Sequence, residues 1–202
     1  FNFGGKVIVW GGHPGCDIVT GAILDPVANS WTPIATTPAS ITAGCNNVYW
    51  TGSKLVVWGS FAEGDNTPFS GGAVYDPATN IWAEIPAVGG PGPRDLPILL
   101  ADDAHLIVWG GDARTDPHAD APKITSLHDG GIYDFASETW APLADSSQRL
   151  PTFEPSGSLI GGGVAFVWGG VDFDSHPFGT LPPARGGGID IASGKWTEVP
   201  VT

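Results

Sequence analysis

The sequence predicts an all-β chain assembled from a fourfold internal repeat. Three observations lead there: a composition hostile to helices, a recurring short apolar run that ends in tryptophan and glycine, and an aspartate followed six residues later by a second tryptophan. The 202 residues include 30 Gly, 19 Pro and 9 Trp but 8 Lys plus Arg. Gly and Pro weaken helix interiors, whereas aromatic and β-branched side chains suit pleated surfaces.

The apolar run appears as VIVWGG (7–12), LVVWGS (55–60), LIVWGG (106–111) and AFVWGG (165–170), with Trp10, Trp58, Trp109 and Trp168 spaced by 48, 51 and 59 residues. KVIVW, KLVVW, HLIVW and VAFVW are β-branched or aromatic stretches closed by glycine, the pattern of buried strands. Each is followed by GAILD, GAVYD, GGIYD or GGIDI, then a turn rich in Pro, Ala, Asn, Ser and Thr, then WTPI, WAEI, WAPL or WTEV. The second anchor is therefore Asp25 to Trp31, Asp76 to Trp82, Asp134 to Trp140 and Asp190 to Trp196. Gly21, Gly72, Gly130 and Gly186 stand four residues before each Asp; Ile34, Ile85, Leu143 and Val199 stand three after each Trp. An Asp opening a tight turn accepts hydrogen bonds from backbone N–H groups just ahead of it, so these four read as structural. A further strand precedes three of the copies, as NNVYW, PILLA and SGSLI, while only FNF precedes the first.

These features resemble the kelch repeat, with its glycine pair, its fixed Tyr and Trp spacing and a period near 50. The resemblance covers essentially the whole chain. It implies a β-propeller of four four-stranded blades, at about 1–36, 37–88, 89–145 and 146–202, forming one unit over 1–202. Leu24 and Ile189 depart from it where Tyr75 and Tyr133 carry the family's aromatic, and Ser60 replaces the second Gly of one copy. Two architectures follow: a compact four-bladed ring, or part of a six- to eight-bladed ring whose remainder is missing or comes from a second chain. The second is favoured, because the boundary cuts the first blade and leaves an unpaired strand edge. The absence of Met adds the expectation that residue 1 is not an initiator and that the stretch is a mature, excised or partial product.

A formal charge of −13 and a pI near 4.4, with no Lys/Arg run, argue against a nucleic-acid partner. No apolar segment approaches the ~18 residues of a membrane-spanning helix, and FNFGGKVIVW lacks the regions of a signal peptide.

In a blade the strands, lettered A to D, alternate in direction. The B-to-C loops and D-to-A connections thus emerge on one face, and the short A-to-B and C-to-D turns on the other. His13, His118, His128 and His176 fall in B-to-C loops, with Phe61, Glu63, Asp65, Asp112, Asp116, Asp120, Asp129, Asp172 and Asp174. All four Arg belong to that face, Arg114 and Arg185 in B-to-C loops and Arg94 and Arg149 in D-to-A connections, while Lys6, Lys54 and Lys195 map to the other. Guanidinium groups suit bidentate recognition of carboxylates, which points to an acidic peptide or sugar. Pairing of each Arg with a neighbouring Asp, stiffening a loop, is the competing reading. Asp172, Asp174 and His176 alternate along one loop, and Asp112, Asp116, His118 and Asp120 crowd another, so a divalent metal is a secondary expectation. Neither run has an EF-hand register or a His-Glu-x-x-His pattern. Cys16 and Cys45 adjoin on the same face in this topology. A disulfide between them is expected, against two separate thiols, and implies an oxidising compartment. With the acidic charge, it places the chain outside the cell or on its surface.

No nucleophile elbow, phosphate-cradling loop or ordered Ser/His/Asp set is present. Enzymes similar in fold, such as galactose oxidase and sialidases, have motifs that this chain lacks in recognisable form. The resulting expectation is a rigid binding scaffold for a protein or glycan, without a cofactor. The alternatives are an extracellular carbohydrate-active or oxidative enzyme on the same frame, and a structural protein that self-assembles.

Overall fold

A computed structural model describes residues 1–12, 18–41, 47–61, 68–115, 123–143, 157–169 and 186–199. Within them the chain is all-β. No helix among the described residues is long and apolar enough to cross a membrane. Four antiparallel sheets follow one another, each a meander of four strands in sequence order apart from one insertion. Sheet I comprises β1 (Asn2–Phe3), β2 (Lys6–Trp10), β3 (Gly21–Asp25) and β4 (Ser30–Pro33). Sheet II comprises β5 (Asn47–Trp50), β6 (Leu55–Phe61), β7 (Pro68–Asp76) and β8 (Ile81–Ile85). In sheet III, β9 (Ile98–Ala101) and β10 (His105–Trp109) are separated from β13 (Gly130–Asp134) and β14 (Thr139–Leu143) by a two-stranded ribbon, β11 (Asp112–Thr115) and β12 (Lys123–Ser126). Sheet IV comprises β15 (Gly157–Gly161), β16 (Val164–Trp168), β17 (Gly186–Asp190) and β18 (Lys195–Val199). The FNF start thus supplies a first strand of only two residues, pairing Asn2 with Val7 and Phe3 with Lys6.

Alternation along each second strand sends side chains to both faces of its sheet, and the sheets pack face to face in chain order. Ile8 and Ile23 meet Leu55, Val57 and Tyr75 between sheets I and II. Val56 and Trp58 meet Leu106, Val108 and Tyr133 between II and III, and Ile107 and Trp109 meet Ala165, Val167 and Ile189 between III and IV. On β6 and β10 the runs Leu55 to Trp58 and Leu106 to Trp109 are removed from water on both faces, which explains why they are wholly apolar. The first strand of sheet III, β9, lies against the first strands β5 and β15 of the sheets before and after it.

The repeat glycines are a packing requirement. A Cβ on Gly72 would run into the Val57 carbonyl oxygen and come within 3.0 Å of Trp58 Cα, and Gly21 and Gly130 face the same conflict with Val9 and Val108. The aspartates open tight turns as the sequence indicates. Asp25 Oδ1 accepts from the amides of Val27 (3.0 Å) and Ala28 (2.9 Å), Asp76 Oδ1 from Ala78 (2.8 Å), and Asp134 Oδ1 from Ala136 (2.9 Å) and Ser137 (2.7 Å). Asp190 Oδ1 accepts from the Ser193 amide at 2.8 Å and its hydroxyl at 2.6 Å. The turn closes each time on a left-handed residue: Asn29, Asn80, Glu138 and Gly194.

Candidate functional site

The meander order puts the β2–β3, β6–β7, β10–β13 and β16–β17 connections on one rim, together with the segments that lead from each sheet to the next. The other rim carries two- to four-residue turns. The long-connection rim is organised around Arg94, in the segment between sheets II and III. Its side chain is 3% exposed. Nε donates to the Gly92 carbonyl and Nη1 to the carbonyls of Gly110 and Asp129, all at 3.0 Å, while Nη2 sits 3.1 Å from Asp129 Oδ1. Burial pulls the guanidinium below the usual arginine range, and the Asp129 carboxylate acts in the opposite direction.

The backbone beside this clamp is equally constrained. Asp95 and Asp112 exchange both amide-to-carbonyl bonds, at 2.8 and 2.9 Å. Leu127 donates to Gly111 at 2.9 Å and Gly110 to the Asp129 carbonyl at 3.0 Å. Gly111 has φ +82°, and a Cβ there would come within 3.0 Å of Pro97 while striking the Asp95 carbonyl, so only glycine fits. Leu96, between Asp95 and Pro97, is itself left-handed at φ 44°. The β11–β12 ribbon thus rises from a fixed root.

Arg94 was expected on a ligand-binding face, but its guanidinium is spent on three carbonyls and one carboxylate of its own chain. That matches the alternative of loop stiffening. Asp112, expected in an open loop, is a buried residue at the base of β11. Arg114 lies on β11 opposite Ile124, and His128 is half-buried just beyond β12. Phe61 belongs to β6, paired with Pro68, because a bulge between Trp58 and Ser60, with Gly59 at φ 56°, carries the hairpin past the expected loop boundary. Lys123, on β12, shows that lysine is not confined to the opposite rim. His13, His118, His176, Asp65, Arg149, Arg185, Glu63, Asp116 and Asp120 lie outside the described residues. So do the Asp172, Asp174 and His176 set and the Cys16–Cys45 pair. Among the described residues no three His, Cys, Asp or Glu side chains are grouped so as to hold a metal.

The sequence reading passed over the opposite rim, which has chemistry of its own. Lys6 pairs with Asp25 and Lys54 with Asp76, each at 3.4 Å. His105 takes the equivalent place in sheet III, between Asp102 (3.5 Å) and Asp134 (3.8 Å). The shared position of Lys6, Lys54 and His105, four residues before the second-strand tryptophan of sheets I to III, was the available signal. A cavity of about 170 Å³ between sheets II and III is lined by Lys54, Asp103, Tyr133 and Glu138.

No family profile matches the chain. It is 25% identical over 163 residues to an N-(sulfonatooxy)prop-2-enimidothioate sulfolyase of Thlaspi arvense, an alignment covering 75% of this chain and 45% of that protein. The solved structure of YjhT superposes with a TM-score of 0.59 at 16% identity, over 98% of this chain and 63% of that one, and shares the fold. The chain thus spans less than two thirds of the length of either.

Proposed function

We propose that the chain is a kelch-type propeller unit that binds a protein or glycan partner through the rim of long connections. The supporting observation is the contrast between the rims. One is a row of tight Asp-capped turns, while the other raises the β11–β12 ribbon from a root immobilised by Arg94 and the Asp95–Asp112 bridge. Variable segments held by a rigid frame are where recognition resides. Of the four arginines, Arg94 is committed to the frame, which leaves Arg114, Arg149 and Arg185 for a carboxylate-bearing ligand. A secreted or cell-surface setting fits this reading.

The test is an array of acidic glycans and Asp/Glu-rich peptides, probed with the chain and with a variant in which Ala113 is joined to Thr125 through an Asn-Gly turn. That deletion removes the ribbon tip and keeps its root. Binding that falls at least tenfold in the variant supports the reading; no ligand, or unchanged binding, overturns it. An enzyme is the second reading, favoured by the likeness to the sulfolyase. Its test is turnover of N-(sulfonatooxy)prop-2-enimidothioate by the same chain.

A further inference from the structure

At the junction where sheet I packs on sheet II, one side chain closes the short-turn rim. The Tyr75 hydroxyl donates to Asn80 Oδ1 at 2.7 Å, the Ala35 amide donates to the same oxygen at 2.9 Å, and Asn80 Nδ2 donates to the Pro33 carbonyl at 3.4 Å. Asn80 thus plugs the gap between its own turn and the exit of the preceding sheet. At the junction of sheets II and III, Tyr133 stands for Tyr75, Glu138 for Asn80, Glu84 for Pro33 and Pro86 for Ala35. Proline has no amide hydrogen, so the donor that holds Asn80 is gone. A carboxylate, in turn, has no N–H to give to a carbonyl. The gap stays open there as the cavity of about 170 Å³. Between sheets III and IV the two places belong to Ile189 and Gly194, which offer no polar side-chain atom.

The cavity is polar in a one-sided way. Tyr133 is 2% exposed, lines the cavity, and among the described residues its hydroxyl has no hydrogen-bond partner. Burial, then the Glu138 and Asp134 carboxylates, push its phenol above the ordinary tyrosine range, so it stays a neutral hydroxyl. Three carboxylates join it: Glu84 from β8, Asp103 from the β9–β10 turn and Glu138 from the β13–β14 turn. Asp103 accepts from the hydroxyls of Thr51, at 3.2 Å, and Ser53. Among the described residues none of the three carboxylates is in an ion pair. Lys54, the cation of the lining, pairs with Asp76 at 3.4 Å and leaves them uncompensated. Nor do they converge closely enough to hold a metal ion. They border a space near the ~150 Å³ that admits a benzene-sized molecule, and Val74 and Phe135 give it an apolar wall.

We propose that this cavity binds a small organic cation, a primary ammonium or guanidinium group on a short alkyl stem. Glu84, Asp103 and Glu138 surround the charge, the Tyr133 oxygen accepts one of its N–H bonds, and the stem lies against Val74 and Phe135. A bare ion is too small to reach carboxylates on three separate segments, and an anion would face all three. The chemistry is the same whether the cation is a free amine or the end of a lysine or arginine side chain. The site lies on the rim opposite the long connections and is independent of the proposed loop-rim binding.

NMR titration of the 202-residue chain with n-butylammonium through the millimolar range tests it, with n-butanol as the uncharged isostere and calcium as the bare cation. The resonances of Val74, Ala83 and Tyr133 should shift saturably with n-butylammonium, and n-butanol and calcium should bind about tenfold more weakly or worse. Glu138→Asn removes one carboxylate and should weaken binding about tenfold. Tyr133→Phe keeps the ring and should weaken it by a smaller factor. Circular dichroism checks folding, and Glu138→Gln replaces Glu138→Asn if that variant is misfolded. Nα-acetyl-lysine amide separates the two sources. Binding as tight as that of n-butylammonium supports the site with a side chain presented by a partner, and weaker binding supports it with a free amine. No saturable shift at these residues, n-butanol or calcium bound as tightly as n-butylammonium, or unchanged binding in the folded Glu138 variant each overturns the proposal.

Discussion

The indole N–H of Trp140, on sheet III, donates to the carbonyl of Pro86 at the end of sheet II, at 2.8 Å. Trp82 makes the same bond to Ala35 of sheet I, at 3.0 Å. Trp82 and Trp140 thus each serve two sheets at once, stacking within the junction and tying down the preceding sheet's exit. Trp140→Phe keeps the ring against Trp58 and removes the donor, so it should cost ~0.5–1.5 kcal/mol. Trp140→Ala should cost ~3–5 kcal/mol, because the ring is lost too. Urea denaturation of the two variants separates the contributions.

Gly72→Ala should destabilise by ~1–3 kcal/mol, since the new methyl meets backbone that can move only by parting β6 from β7. Gly92→Ala is the control. Nothing lies within 4 Å of a Cβ there, and the unfolding midpoint should hardly move.

Glu138 occupies the left-handed turn position that Asn29, Asn80 and Gly194 fill elsewhere, at φ 55°. A glutamate there is strained where Asn or Gly is not. Glu138→Asn should raise stability by ~0.5–1 kcal/mol, measured as a higher thermal midpoint.

Arg94→Ala should cost ~3 kcal/mol, because it strips donors from two carbonyls packed beneath the ribbon. The local signature is faster hydrogen exchange at the amides of Asp95, Asp112 and Leu127. Arg94→Lys should restore only part of the protection, since an ammonium cannot reproduce the fork.

The turn aspartates set the acid limit. Asp25, Asp134 and Asp190 all titrate below the ordinary carboxylate range. For Asp25 the main cause is the Ala28 amide, for Asp134 the Ser137 amide, and for Asp190 the Ser193 hydroxyl. A carboxyl whose folded pKa lies below its unfolded value of ~3.9 contributes stability that is complete above that pH and fades as pH falls through the folded value. The urea midpoint should therefore hold from neutrality to about pH 5 and drop below about pH 4. Ser193→Ala should move Asp190 back toward the ordinary range, read from its carboxyl carbon by NMR.

Much of the frame was legible because the repeat displays its own constraints. Gly72 is forced by backbone contact, Asp134 by turn geometry and Trp58 by burial, and each recurs in every copy, the glycine and aspartate at a fixed separation. The rim was harder to read. Arg94 carries the same residue type whether it faces solvent or a cage of carbonyls, and the cage comes from residues 92, 110 and 129, which only the folded chain brings together. The β11–β12 ribbon was missed because DART and KITS are short and polar, and the pairing of Asp112 with Asp95 leaves no trace in either residue. Phe61 was assigned to a loop since the bulge after Trp58 hides the continuation of β6. The left-handed strain at Glu138 had a signal in the Asn at the matching positions of two other copies.

Every sheet is completed by one contiguous stretch of chain, with strand pairs formed almost entirely between sequence neighbours. Chain closure during folding is therefore a local matter, the kind that proceeds quickly despite the β topology. During synthesis each meander can zip up soon after it leaves the ribosome, before the next has been made. The aliphatic and tryptophan contacts between sheets must await the neighbour, so a finished sheet offers a template on which the following one can settle.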